Sequence, residues 1–324
     1  MPALVQHAFG DPASVLTLEP HADAEPGPGE VRVNLAAATV LPMDLLGLRG
    51  HYPVRRPLPA VAGVEGAGRV AAAGDGVDWA PGTPVLLPVR AGTWATSAVV
   101  RADACVRLPE AIDLVQAASL RIDLPSAARL LAASGARRGD WLILDPGAGA
   151  VSQATVQLAR ADGVRTVAVL RRPSRAARVT ALGAEAALVA GDHLAARLRE
   201  IVGDRAVAAL DGTGGANTDV LASVVREGGS VWVYGGVSRQ PSTLSVGNLV
   251  FRDVSVRGFW LLRDARRDPA GVDAAIRALA LQVAAGVLTT EVAGTFALAD
   301  WKAALALARS ETREGRVIFT PATG

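Results

Sequence analysis

Two groups of residues in this chain could do chemistry on a phosphate-bearing molecule: a turn of small residues and a run of arginines shortly downstream. The turn is Gly147-Ala148-Gly149-Ala150-Val151-Ser152, and the arginines are Arg171, Arg172 and Arg175. Glycines let the backbone approach a pyrophosphate, and the unpaired N–H groups of a following helical turn point at its negative charge. The match to G-x-G-x-x-G is degenerate, because Ser152 stands where the third glycine belongs. After the next strand, an acidic residue would bond the ribose hydroxyls of NAD, whereas cations would neutralise a 2′-phosphate. No Asp or Glu falls between Val164 and Ala184, so the arginines read as a preference for NADPH. The competing reading is a solvated basic loop.

Composition narrows the classes. The 324 residues are 50% hydrophobic and 20% charged, with a net charge of only +2, which suits a globular protein and gives no nucleic-acid-scale basic field. Lys302 is the only lysine, so the positive charge is almost all arginine. Cys105 is alone, which excludes an intramolecular disulfide and a cysteine-rich zinc lobe. The first residues, MPALVQHAFGDP, lack a basic stretch followed by an apolar core, and no apolar run reaches the ~18 residues of a membrane span. The expectation is a cytoplasmic enzyme.

The elements that must position the turn are legible around it. Trp141-Leu-Ile-Leu144 reads as a buried parallel strand, Gln153 to Ala161 as a helix ended by Asp162-Gly163, and Thr166 to Leu170 as a second strand. Helix and strand patterns go on alternating through Ala206-Val-Ala-Ala-Leu-Asp211 to Val231-Trp-Val-Tyr234 and Gly235-Gly236, which predicts a doubly wound parallel sheet. Upstream, period-two runs such as Val31 to Leu35 and Ser97 to Arg101, punctuated by Pro and Gly, predict a β-rich lobe. The last stretch, with a closing strand near Gly315 to Thr320, is expected to complete that lobe. The expected division is 1–119 with 258–324, and 120–257.

The order of these motifs resembles the medium-chain dehydrogenase/reductase superfamily over essentially the whole chain. The resemblance implies an α/β fold, in which a Rossmann cofactor domain is inserted into a β-rich GroES-like catalytic domain. Gly63-Val64-Glu65-Gly66 falls where zinc-dependent members have a histidine between glycine and glutamate, and Leu41 falls at their first cysteine ligand, so the expectation is a metal-free site. Within the zinc-free branch the chain is similar to the mitochondrial-type 2-enoyl thioester reductases. Arg49-Gly-His-Tyr-Pro53, Gly92-Thr-Trp-Ala-Thr96, Tyr234-Gly-Gly-Val-Ser-Arg-Gln-Pro241 and Arg257-Gly-Phe-Trp260 carry the likeness.

That resemblance implies Tyr52 as the catalytic hydroxyl, Trp260, Phe259 and Trp94 against the substrate, and Gly235-Gly236 passing the nicotinamide. Asp123 and Ser126 would face the nicotinamide ribose or amide, and Tyr234, Phe259 and Trp260 join Gly147, Gly149, Ala150, Val151, Arg171, Arg172 and Arg175 on the cofactor. A phenol suits the chemistry: hydride addition to an enoyl β carbon puts negative charge on the carbonyl oxygen, and a neutral O–H can donate to it. The bland reading of Tyr52 is a surface loop residue between Gly50 and Pro53. His51, Arg239, Arg263, Arg266 and Arg267 are weaker candidates, for a proton relay or for phosphates. Ala148, Ser152 and Leu124 depart from the family pattern, as does a shorter segment after Arg172. The expected activity is NADPH-dependent reduction of an α,β-unsaturated thioester or ketone, the thioester carried on coenzyme A or a carrier protein, by a homodimer. A quinone oxidoreductase and an idle NADPH-binding protein are the alternatives.

Overall fold

A computed structural model describes residues 1–22 and 24–321. It divides into two compact units, Met1–Ile122 with Ile276–Gly324, and Asp123–Ala275.

The second unit is built on a six-stranded parallel sheet. Its spatial order is Ala186–Val189, Arg165–Leu170, Trp141–Asp145, Ala206–Asp211, Ser230–Val233 and Ser255–Gly258. The chain enters at the third of these, winds outward to one edge, then returns to build the other half. The reversal lies between Trp141–Asp145 and Ala206–Asp211, and ligands of such sheets bind beyond the carboxyl ends of the strands at that point. Alternation along the strands explains why both faces are covered. Ile143, Val167, Val169, Ala209 and Val231 pack with Leu194, Leu198 and Val202 of helix Leu194–Val202. Leu142, Leu144, Ala168, Leu170 and Leu210 face Leu130 and Leu131 of helix Asp123–Ser134 and Val156 and Ala159 of helix Ala150–Asp162. Each large side chain so buried contributes roughly 1.5–3 kcal/mol over leaving it exposed, so neither face tolerates an inward charge.

The first unit contains a mostly antiparallel sheet around the long strand Glu30–Val40, which pairs with Gly66–Ala73, Ser97–Arg101 and Arg316–Phe319. A three-stranded sheet joins Pro2–Gln6, Leu16–Pro20 and Ala60–Val61. The closing strand Arg316–Phe319 therefore returns to the β-rich unit, as its sequence pattern predicts.

The units depart from the sequence-based division at two places. Residues 258–275, placed on sequence with the first lobe, fall in the second unit. The Phe259 N–H donates to the Val233 carbonyl at 2.8 Å, and Arg129 bridges Asp264 at 2.7 Å and Asp268 at 2.9 Å. Residues 120–122 fall in the first unit, where the Arg121 guanidinium donates to the Leu87 and Ala104 carbonyls at 2.7 and 2.6 Å.

Candidate active site

The small-residue turn sits at the carboxyl end of the strand Trp141–Asp145, at the point where the sheet reverses. Gly147 has to be glycine for packing: a Cβ there would lie 2.6 Å from the Ala168 Cβ on the neighbouring strand. Its N–H donates to the Val169 carbonyl at 2.7 Å, which fixes the turn to the sheet. Gly149 is the N-cap of helix Ala150–Asp162, and no side chain caps that helix. The N–H groups of Ala150, Val151 and Ser152 thus begin a helix with no side-chain cap at Gly149, which suits a dinucleotide pyrophosphate. At the other end Gly163, at φ 72°, stops the helix as its sequence position predicts.

Ser152, the departure from the fingerprint, is buried, and its hydroxyl lies 3.3 Å from that of Tyr234. Loss of water around the Tyr234 hydroxyl pushes that phenol above its ordinary value, with Asp145, Asp211 and Asp123 adding to the rise. Asp145 is itself raised to about 6 by burial, although the Asn217 amide donates to it at 2.7 Å. Asp211 is satisfied by the N–H groups of Thr213 and Gly214 and the Thr218 hydroxyl, at 2.9, 2.8 and 2.7 Å. Sequence reading missed this polar cluster, because its members come from strand ends far apart in the chain. Asp123 and Ser126 are both buried in the first turn of helix Asp123–Ser134. Gly235 and Gly236 are exposed; a Cβ on Gly236 would meet nothing within 4 Å, whereas one on Gly235 would lie 2.7 Å from the Gly212 carbonyl oxygen.

Of the three arginines after the second strand, Arg171 is exposed and Arg172 half-buried, whereas Arg175 is only 5% exposed. Arg171 and Arg172 are therefore the cations an external phosphate can reach. Phe259 packs on the sheet's hydrophobic layer, and Trp260 is half-buried at the start of helix Leu261–Arg267 with the Arg266 guanidinium 5.5 Å above its ring. Arg263 donates to the Gly258 carbonyl, so this basic run is in part the local scaffolding of a charged helix. Arg239 is exposed at φ 58°.

Tyr52 belongs to the first unit. It is half-buried and lines a recess with Met43, Asp44, Val64, Arg56 and Trp94. The back of this recess is fixed by the Gly63–Gly66 loop. Gly63 has φ 101°, and a Cβ there would lie 2.6 Å from the Trp94 backbone nitrogen, so only glycine fits. Glu65 is fully buried and accepts from the Thr39 hydroxyl at 2.9 Å and the Arg121 N–H at 3.2 Å. Trp94, expected against the substrate, is 0% exposed. Its indole N–H donates to the Thr39 carbonyl at 2.9 Å and its ring packs edge-on to Phe319 at 5.2 Å, so it forms the recess wall from inside the core. His51 is exposed beside Tyr52. Leu41 and Val64, at the positions of zinc ligands in zinc-dependent relatives, are buried and apolar and offer no donor to a metal. Among the described residues no group of three or more His, Cys, Asp or Glu side chains could hold a metal ion.

Residues 27–110 match the alcohol dehydrogenase GroES-like domain, and residues 150–284 match the zinc-binding dehydrogenase family. The mitochondrial enoyl-[acyl-carrier-protein] reductase of Homo sapiens is 33% identical over 313 residues, covering 94% of this chain and 84% of that protein. A structure of a candidate NADPH:quinone reductase from Bacillus thuringiensis is 28% identical and superposes with a TM-score of 0.90 over 98% of both chains. The mitochondrial 2-enoyl thioester reductase heterodimer from Candida tropicalis superposes with a TM-score of 0.89 over 98% of this chain and 99% of that one. At 21% identity it carries the fold alone.

Proposed function

The chain belongs to the medium-chain dehydrogenase/reductase superfamily, and we propose that it is an NADPH-dependent reductase of the C=C bond of α,β-unsaturated thioesters or ketones. The observation that carries this reading is Tyr52, a phenol lining a recess whose other walls hold no metal donor at the zinc-ligand positions. A relative that is 33% identical and named as an enoyl reductase supports the same substrate class.

The start of helix Ala150–Asp162 would hold the pyrophosphate of NADPH, and Arg171 and Arg172 would neutralise its 2′-phosphate. NADPH, when bound, supplies a hydride. Tyr52 donates its O–H to the substrate carbonyl oxygen. As the β carbon gains hydride, the π electrons move toward that oxygen, and a hydrogen bond that strengthens with the developing charge lowers the barrier rather than merely tightening binding. A proton at the α carbon, from Tyr52 or from water through it, completes the reduction. A phenol carries an O–H that can donate to a carbonyl oxygen. No step is assigned to a metal, because Leu41 and Val64 cannot ligate one.

A second reading, a quinone oxidoreductase on the same scaffold, is favoured by the Bacillus thuringiensis structure. It uses the same NADPH site and needs no phenol. NADPH oxidation followed by absorbance with crotonyl-CoA, a longer enoyl-CoA, a cyclic enone and a quinone separates the two. Enoyl or enone turnover that prefers NADPH to NADH supports the first reading, and turnover of quinone alone overturns it.

We also propose a homodimer. The strand Ser255–Gly258 ends its sheet, and Val246, Leu249, Val250 and Phe251 project exposed beside it. Paired edges and covered apolar surface would resolve both liabilities. Among the described residues no helix is long and apolar enough to cross a membrane. The proposed location is the cytoplasm.

A further inference from the structure

Beside the Tyr52 recess, and sharing Arg55, Arg56 and Arg90 with it, lies a second and more open recess of about 480 Å³. The three arginines line it together with apolar side chains and a glycine, and no carboxylate lines it. Among the described residues none of the three makes an ion pair with a carboxylate. Arg55 donates to the Gly50 carbonyl at 3.2 Å and stacks 5.5 Å from the Phe9 ring, and Arg56 donates to the Val61 carbonyl. These contacts orient the Arg55 and Arg56 side chains without an ion pair, and only Asp44 acts against the charge of Arg56. Burial lowers the Arg56 pKa, the nearby Arg90 lowers it further, and Asp44 offsets part of this. Arg90 is held at φ 68°, a conformation rare for a side-chain-bearing residue, with its N–H fixed on the Val64 carbonyl at 2.6 Å. Like charges converging on an open cavity, one of them on a strained backbone, make a site for an anion rather than a feature that stabilises the fold.

We propose that Arg55, Arg56 and Arg90 form a phosphate subsite that grips the carrier arm of the thioester substrate. This rests on the enoyl reading above and narrows it to thioesters whose carrier bears a phosphate, either coenzyme A or a phosphopantetheine-bearing protein. Guanidinium groups recognise phosphate with charge-assisted, often bidentate hydrogen bonds, so specificity would lie in the carrier as well as in the acyl chain.

The test uses protein saturated with NADP(H), so that Arg171 and Arg172 are already engaged. Turnover is measured with crotonyl-CoA, a crotonyl carrier protein and crotonyl-pantetheine, which lacks the phosphate, for wild type, Arg55→Ala, Arg90→Ala and Arg90→Lys. The expected result is a loss of about tenfold in kcat/KM per alanine variant on the phosphate-bearing substrates, carried by KM, with a clearly smaller loss on crotonyl-pantetheine and partial rescue by lysine. A loss confined to one carrier identifies which source the subsite reads. Equal losses on all three substrates, or no loss on any, overturn the subsite. Calorimetric binding of coenzyme A to the NADP⁺-loaded protein separates the two levels of the argument. If no thioester turns over but coenzyme A binds and Arg90→Ala abolishes it, the subsite stands and the enoyl reading falls. If wild type binds no coenzyme A and turns over no phosphate-bearing thioester, the subsite falls too.

Discussion

The Asp44 carboxyl is sealed inside the first unit, one oxygen accepting the Leu41 N–H at 2.8 Å and the other without a hydrogen-bond partner among the described residues. Burial raises it from 3.8 to about 7, against the opposing pull of Arg56 and Arg316. The sign follows from proton counting. Between those two values the folded state holds a proton that the unfolded state has lost, so stability falls as pH rises through the window and levels off above about 7. Asp44→Asn keeps an oxygen for the Leu41 N–H but removes the charge. Its denaturant-measured stability is expected to be flatter from pH 5 to 7, by up to about 1.4 kcal/mol per pH unit, leaving the smaller share from Asp145. Parallel pH profiles for wild type and variant would contradict this assignment.

At the scale of elements, the strand, turn, helix and strand from Trp141 to Leu170 supply two interior strands of the sheet and pack the turn between them against Ala168. Gly147→Val tests that packing. Its Cβ would sit 2.6 Å from the Ala168 Cβ and 2.8 Å from the Ala168 Cα, and strand backbone cannot yield as a flexible side chain can. The expected cost is about 1–3 kcal/mol with weakened NADPH binding, read by thermal melting and cofactor titration. An unchanged melting temperature would mean that the turn is looser than the close approach implies. This stretch was readable in the sequence because its signals are local: Gly163 stops the helix and the apolar runs are buried strands. The helix Pro42–Leu48 was not, being short and capped by the Asp44 side chain. Nor was the meeting of Arg55 and Arg56 with Arg90, since only the folded lobe brings those segments together. The edge-on packing of Trp94 against Phe319 was not legible either, because the two residues meet only in the folded lobe.

At the scale of the whole molecule, Phe251 is 81% exposed and Val250 64% exposed next to an unpaired sheet edge, which a monomer would carry as an aggregation hazard. Phe251→Asp is expected to shift wild-type dimers toward monomers in light scattering coupled to size exclusion, with folding retained because the side chain lies outside the core. A wild-type monomer, or a variant that stays dimeric, would contradict the edge-to-edge assembly. The central claim is that Tyr52 stabilises and protonates an enolate, so the measurement that tests it most directly is the rate of crotonyl-CoA-dependent NADPH oxidation by Tyr52→Phe beside wild type. The expected result is a fall in kcat of about two orders of magnitude or more, with NADPH affinity unchanged. A phenylalanine variant that reduces crotonyl-CoA as fast as wild type would remove the phenol from the mechanism.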